Sequence, residues 1–488
     1  MTTTTTLRGV RLADHDAPCD LRIDDGTITA ITPAGSAPPA GDAVDADGRW
    51  LMPGLWDAHV HFTQWVTRRS RVDLAETDSA RAAAAAMRDA FEYRTDDILV
   101  GYGFRDALWP DAPTRRALDD IAPDRPLVLI SGDLHCGWMN TRALRLLGID
   151  HLPDDGMLRE TEWIGALSRL DGDRLPDTAA FREAADAAAR RGVVGIVEFE
   201  NADNVADWPA RVAAGVDALR VETSVWPDRL DHAIAQGLRT GTPLEPTGLI
   251  TMGRLKIVVD GSLNTRTAYC WDPYPDTPVG DPHRCGLLSV PPDQVDELLI
   301  RARDAGLHPA VHAIGDRANT AVIDAFERLQ IAGTIEHAQL VARSDLHRFG
   351  RLGLTASVQP EHAMDDRDVA DRYWAGRTDR AFAFASLHAG GATLTLGSDA
   401  PVSPLDPWHA IAAATTRRRD GRDAWHPDER ISPALAVSAS TRGTTIRVGA
   451  PADLVLVETD PVTTDPDALR TMPVALTLLG GRTTWTTL

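Results

Sequence analysis

A single lysine, Lys256, stands among the 50 lysine and arginine residues of this 488-residue chain; every other cationic position is arginine. A lysine amine can lose its proton inside a protein, whereas a guanidinium effectively cannot. The neutral amine can then add to CO2 and become a carbamate, an anionic oxygen ligand for metals. The setting fits such a role, because Leu255-Lys-Ile-Val-Val259 reads as a buried strand. The plainer reading is a surface lysine left by chance. A second group is Asp57-Ala-His-Val-His61, in which strand alternation puts His59 and His61 on one face, where two imidazoles can grip one ion. Three more segments end in residues of the same chemistry. They are Val311-His312-Ala313, Ile335-Glu336-His337 and Gly397-Ser398-Asp399. Imidazole and carboxylate suit zinc and similar ions. Any one histidine is more economically a hydrogen-bonded core residue; the full set is not.

Such residues meet only if the chain brings several strand ends together. Strand patterns over 51–61, 193–200, 219–226, 255–260, 308–314, 334–339, 354–359 and 393–399 alternate with helical stretches over 178–191, 294–305 and 317–329. Eight such units predict an α/β (β/α)8 TIM-type barrel, whose active sites form where the strands run out. The gap after the first strand is too long for one helix. Residues 64–176, with a helix over 74–94 and strands over 98–104 and 127–131, read as an insertion over the barrel mouth. Short alternating strands fill both chain ends, with Asp24-Asp25-Gly26 a hairpin signal. Residues 1–52 and 443–488 are therefore expected to pair into one small β-sandwich, leaving 53–442 as the barrel with its insertion.

Composition narrows the function. A net charge of −21 argues against a nucleic-acid partner, which needs a basic surface. The four cysteines are scattered with no C-x-x-C pair, which makes a reducing cytoplasm the expected location. No apolar signal core opens the chain, and no run approaches a membrane span.

Taken together, the chain resembles the amidohydrolase superfamily, in its amidohydrolase-3 (YtcJ-like) branch. The resemblance is carried by Pro53-Gly-Leu-Trp-Asp-Ala-His-Val-His61, Asp260-Gly-Ser-Leu-Asn-Thr-Arg-Thr-Ala268, His312-Ala-Ile-Gly-Asp-Arg-Ala-Asn319, Ile335-Glu-His-Ala-Gln339, Gly397-Ser-Asp-Ala-Pro-Val402 and Gly449-Ala-Pro-Ala-Asp-Leu-Val455. It implies one or two divalent ions, Zn2+ first, with Mn2+, Fe2+ and Co2+ also compatible. His59, His61 and Asp399 would hold one metal, His312 and His337 a second, and carboxylated Lys256 would bridge them. It further implies hydrolysis of a C–N bond in an amide, N-acyl, N-formyl or cyclic amide by a metal-activated hydroxide. Asp399 would shuttle the proton.

For substrate contact the candidates are His135 and Trp138 in the insertion, Arg266 after the fourth strand, and Gln359 at the end of the seventh. Trp56, Trp65 and Trp138 are expected beside an apolar or aromatic substrate group. Asp316 and Arg317 begin a helix and read as structural. Two other functions compete. Many deaminases of the superfamily carry a glutamate three residues after the fifth-strand histidine, where this chain has Gly315. A metal-binding protein without turnover would be expected to lack Asp399 or the H-x-H pair. The expected partner is a small-molecule amide substrate, and a homo-oligomer is compatible with the sequence.

Overall fold

The computed structural model describes residues 4–69, 71–171 and 176–488. Its centre is a sheet of eight parallel strands in chain order: β1 (Leu55–Val60), β2 (Val193–Glu198), β3 (Arg220–Val225), β4 (Ile250–Val258), β5 (His308–Ala313), β6 (Thr334–His337), β7 (Thr355–Val358) and β8 (Thr393–Leu396). Helices such as Pro292–Ala305 and Asp316–Leu329 return the chain between strands, as a parallel sheet requires. Both faces of these strands are covered, so most of their residues are buried; all six residues of β2 are.

The barrel closes just beyond β8. Val60 bridges Ala400 in parallel, the Asp399 N–H donates to the His59 carbonyl at 2.8 Å, and the His61 N–H donates to the Ala400 carbonyl at 2.7 Å. Gly397 permits this approach. A Cβ there would lie 2.8 Å from the His59 nitrogen, closer than real Cβ contacts come. The hydrogen bonds that shut the barrel thus also set His59 beside Asp399.

The strand expected over 51–61 is two strands. Trp50–Pro53 pairs with Leu454–Val457 in an outer sheet, and β1 begins after Gly54. The break has a steric origin: a Cβ on Gly54 would sit 2.3 Å from a Val194 methyl. The Gly54 N–H donates to the Asp453 carbonyl, so the chain steps from one sheet to the other there.

Two four-stranded sheets use both chain ends. One holds Thr4–Val10, Cys19–Asp24, Thr27–Pro33 and Asp42–Asp45; the other holds Trp50–Pro53, Leu454–Val457, Val474–Leu479 and Arg482–Thr486. Their facing side chains form one core in which Leu7, Leu21 and Leu51 meet Leu454, Leu456 and Leu476. Arg220 on β3 grips Asp453 with two hydrogen bonds, of 2.6 and 3.1 Å, fastening this sandwich to the barrel.

The insertion has its own five-stranded sheet and its own core, and polar contacts tie it to the barrel loops. Arg105 pairs with Asp365 and Asp366, Asp133 accepts from Ser262, and Glu160 accepts from Thr267. No described helix is long and apolar enough to cross a membrane.

Because one core uses both ends, deletion of residues 450–488 exposes Leu7, Leu21 and Leu51 to water. The expected product is insoluble or non-cooperatively unfolding protein. Leu456→Ala in the intact chain should cost about 2–5 kcal/mol, the range for a fully buried leucine. Soluble expression of the truncation with a sharp thermal transition would refute the shared core.

Candidate metal centre

The residues that sequence reasoning gathered at strand ends lie within reach of one another. His59 Nε2 is 3.2 Å from the Lys256 amine and 3.5 Å from Asp399 Oδ1. His61 Nε2 reaches the same carboxylate oxygen at 3.3 Å. The His337 ring sits 5.0 Å from that of His59 and 4.4 Å from that of His312. One donor atom each from His59, His337 and Asp399 falls within a 4.8 Å span. His312 is in the same cluster, with Nε2 3.5 Å from the Gly261 carbonyl and 3.6 Å from Asp260.

Strand ends place these groups, but regular strand geometry alone would not. Adjacent residues on a strand point to opposite faces. At the end of β6 the chain leaves the β region, with φ of 73° at His337 and 44° at Ala338; Asp399 has φ of 56°. A left-handed conformation is uncommon for residues other than glycine and clusters at functional sites. The neighbours that hold it are buried. Asp57 accepts from the N–H groups of His59 and Ser398, joining the two sides of the closure. Asp260, just after β4, accepts from Ile314, Gly315 and Tyr269, which fixes the turn after His312.

Burial decides the charge state of the cluster. It lowers the Lys256 amine to about 8 and His312 to about 3. His59 and His337 are driven well below the usual imidazole range, by burial first and by neighbouring cationic groups next. For His61 burial works in the same direction, but the Asp399 hydrogen bond and charge outweigh it and raise the group. Burial raises Asp399, but His61, His362 and Lys256 together outweigh it and lower the group, so it stays ionised. The result is three neutral imidazoles, His59, His312 and His337, beside a His61–Asp399 pair.

The donor set fits a divalent cation. Nδ1 of His61 and Nδ1 of His337 are buried without a hydrogen-bond partner, as is Nε2 of His362 nearby. Buried polar atoms without partners are rare in proteins and call for a reason. Neutral imidazoles, a carboxylate and a carbamate-competent lysine are ligands for zinc and its neighbours.

A cavity of about 380 Å³ opens over this cluster. Its wall includes His59, His61, Lys256, His312, His337 and Asp399, all from the barrel. The insertion adds Arg105, Asp133, Leu134, His135 and Ile164. His135 is held by Glu160 at 2.9 Å; burial opposes its charge, but Glu160 prevails and raises it to about 9.

The other expected substrate contacts lie elsewhere. Trp138 is fully buried in the insertion core, donating to the Thr114 carbonyl and packing edge-on to Trp109. Trp56 points away from the barrel axis, over Gly195 and under Arg442. Trp65 lines a separate cavity with Arg68 and Tyr102. Arg266 is exposed near the Tyr373 ring. Gln359 stands just before the helix Pro360–Asp365 without capping it, and its amide donates back to the Ser357 carbonyl at 3.2 Å. Asp316 is buried, accepting from the Trp271 N–H and pairing with Arg380, while Arg317 stacks on Tyr269 and Trp271.

Sequence reasoning passed over several groups. Glu336 stands 2.7 Å from His59 Nδ1. His362, Gln339 and Trp226 line the cavity. Glu336 and Gln339 belong to a motif that had been singled out, and His362 follows the end of β7 by four residues, so position was the available signal for each.

Comparison with known proteins places the chain in a family. The model of the amidohydrolase family matches residues 42–485. The YtcJ protein of Bacillus subtilis (strain 168) is 26% identical, over 91% of this chain and 90% of its own length. An N-substituted formamide deformylase of Arthrobacter pascens is 25% identical, over 93% and 92%. A metal-dependent hydrolase of Pyrococcus horikoshii OT3 shares the fold with a TM-score of 0.78, at 23% identity over 95% of this chain and 99% of that one. The chain belongs to the amidohydrolase family and is a metal-dependent hydrolase acting on carbon–nitrogen bonds other than peptide bonds.

Proposed function

We propose that this protein hydrolyses the C–N bond of a small amide, N-acyl or N-formyl compound, or cyclic amide. The observation that carries the reading is Asp399, whose one oxygen faces both histidines of the H-x-H pair beside the Lys256 amine. His59, His61, His312, His337 and Asp399, with Lys256 as its carbamate, would hold one or two divalent ions, Zn2+ first. A bound cation supplies polarisation of the scissile carbonyl and acidification of the attacking water.

The chain's own groups do the rest. Asp399, ionised and at the cavity floor, takes the proton that the attacking water loses. It returns that proton to the nitrogen as the C–N bond breaks, so the amine leaves neutral. The Lys256 amine, brought to about 8 by burial, is neutral in enough molecules near neutral pH to add to CO2. His135, anchored by Glu160 in the cover, contacts the substrate on the side away from the barrel axis. Leu134, Ile164, Leu263, Trp226 and Val402 make an apolar wall suited to a carbon substituent beside the amide. The cover displaces water, and fixed dipoles act more strongly in the drier site. An N-formyl substrate is suggested by the deformylase relative and a cyclic amide by the partial matches to dihydroorotases and D-hydantoinases.

The deaminase alternative loses support at Gly315. A Cβ there would lie 2.1 Å from the Tyr269 carbonyl oxygen, so a glutamate cannot occupy the position without moving the backbone.

Release of amine and carboxylate from N-formyl, N-acyl and cyclic amide libraries by Zn- and Mn-loaded protein tests the reading; no turnover with bound metal would favour a binding role. Asp399→Asn is expected to lower kcat by about two to four orders of magnitude, the usual size of a lost general acid/base. Its metal content should fall less than that of His59→Ala; turnover within tenfold of wild type would remove the shuttle. Lys256→Arg should be inactive although the charge is kept, and short carboxylic acids should restore part of the activity to Lys256→Ala. Full activity in the arginine variant argues against a carbamate. His135→Ala should raise KM or lower kcat/KM with metal content unchanged by elemental analysis; loss of metal would place His135 in the centre itself.

A further inference from the structure

Glu336 is wholly buried at the end of β6, yet it contacts a residue of β1. Its Oε2 lies 2.7 Å from His59 Nδ1, and the Arg254 guanidinium of β4 stands 3.9 Å from its other oxygen. β6 and β1 are not neighbours in the sheet, so this side chain crosses the barrel interior. The contact joins the strand that presents His59 to the strand that presents His337, the residue next to Glu336.

Packing alone does not orient the His59 ring. One neighbour is the Phe199 ring, 4.5 Å away between centroids and tilted by 59°. An imidazole turned by 180° about its Cβ–Cγ bond has nearly the same shape, so an aromatic neighbour accepts either orientation. A hydrogen-bond acceptor at Nδ1 does not. With Nδ1–H donating to Glu336, the lone pair of the neutral ring is at Nε2, the nitrogen that faces Lys256 and Asp399.

We propose that Glu336 is a positioning residue. It selects the ring orientation and tautomer of His59 and so presents Nε2 to a divalent cation. The assignment rests on the metal-dependent reading above. The same logic explains a glutamate at this position, because an aspartate is one methylene too short to span the same gap.

The test needs no substrate. The full chain is stripped of metal with a chelator, then titrated with Zn2+ against a competing chromogenic chelator, with circular dichroism to check folding. Glu336→Gln and Glu336→Asp are expected to bind Zn2+ about 10- to 100-fold more weakly than wild type, the usual effect of losing such a partner. On a His59→Ala background, adding Glu336→Gln should change affinity by less than about threefold, because residues acting as a unit are not additive. A role confined to stability would lower the melting temperature and leave Zn2+ affinity alone. The proposal is overturned if either variant binds within about threefold of wild type, or if Glu336→Gln loses as much affinity on the His59→Ala background. Should neither variant fold, 15N shifts of labelled histidine in the wild-type protein decide the matter. A protonated Nδ1 at His59 supports the assignment and a protonated Nε2 overturns it. Wild type that binds no divalent ion would instead sink the metal reading, and this assignment with it.

Discussion

Four imidazoles and one amine crowd a buried volume at the C-terminal end of the barrel, and they can coexist there only if most of them give up their charge. Bringing two like charges within about 4 Å in a poorly polarisable interior is strongly unfavourable. Burial resolves the conflict by driving protons off His59, His312 and His337 and by weakening the hold of Lys256 on its own. Asp399 is the counterweight, ionised because His61 lies against it. Much of the surrounding architecture serves this arrangement. The closure bonds between β1 and the end of β8, the small residue at Gly397 and the Asp57 bridge all keep the carboxylate against the H-x-H pair.

The clustering of these side chains was legible in the sequence because their position follows from topology. A parallel barrel gathers every strand end on one rim, so histidines at the ends of β1, β5 and β6 converge whatever the details of packing. Element positions were legible for the same reason, with apolar runs marking the strands; Gly54 escaped because its role depends on Val194, a residue far away in the chain. Second neighbours were less legible. Glu336 and His337 are adjacent, and alternation predicts opposite faces. Only the left-handed backbone at His337 changes that, and no local pattern announces it. The cavity wall was harder still. Trp138 and His135 are three residues apart in the insertion, yet one is interior to its core and the other faces the barrel. Gln339 lines the cavity while Gln359 turns back on its own strand.

The insertion behaves as a separate body with a shared wall. Its core is its own, and it meets the barrel at Arg105, Asp133 and Glu160 through polar contacts around the cavity. Arg105 reaches the helix that also carries His362, so the cover and the floor of the cavity are joined at one charged seam. A cover held by ion pairs and hydrogen bonds can vary in sequence without disturbing the ligands. The fold is shared with a protein at 23% identity and the family with relatives at about a quarter identity.

The solitary lysine has a consequence outside catalysis. Within this sequence Lys256 carries the one ε-amine, and it lies buried at the floor of the cavity. The outer surface therefore offers no lysine to acylating reagents, aldehydes or cross-linkers. Enzymes that attach acetyl groups or small proteins to lysine find nothing to modify on the folded chain. Any ε-amine labelling of this polypeptide therefore reports access to the cavity floor.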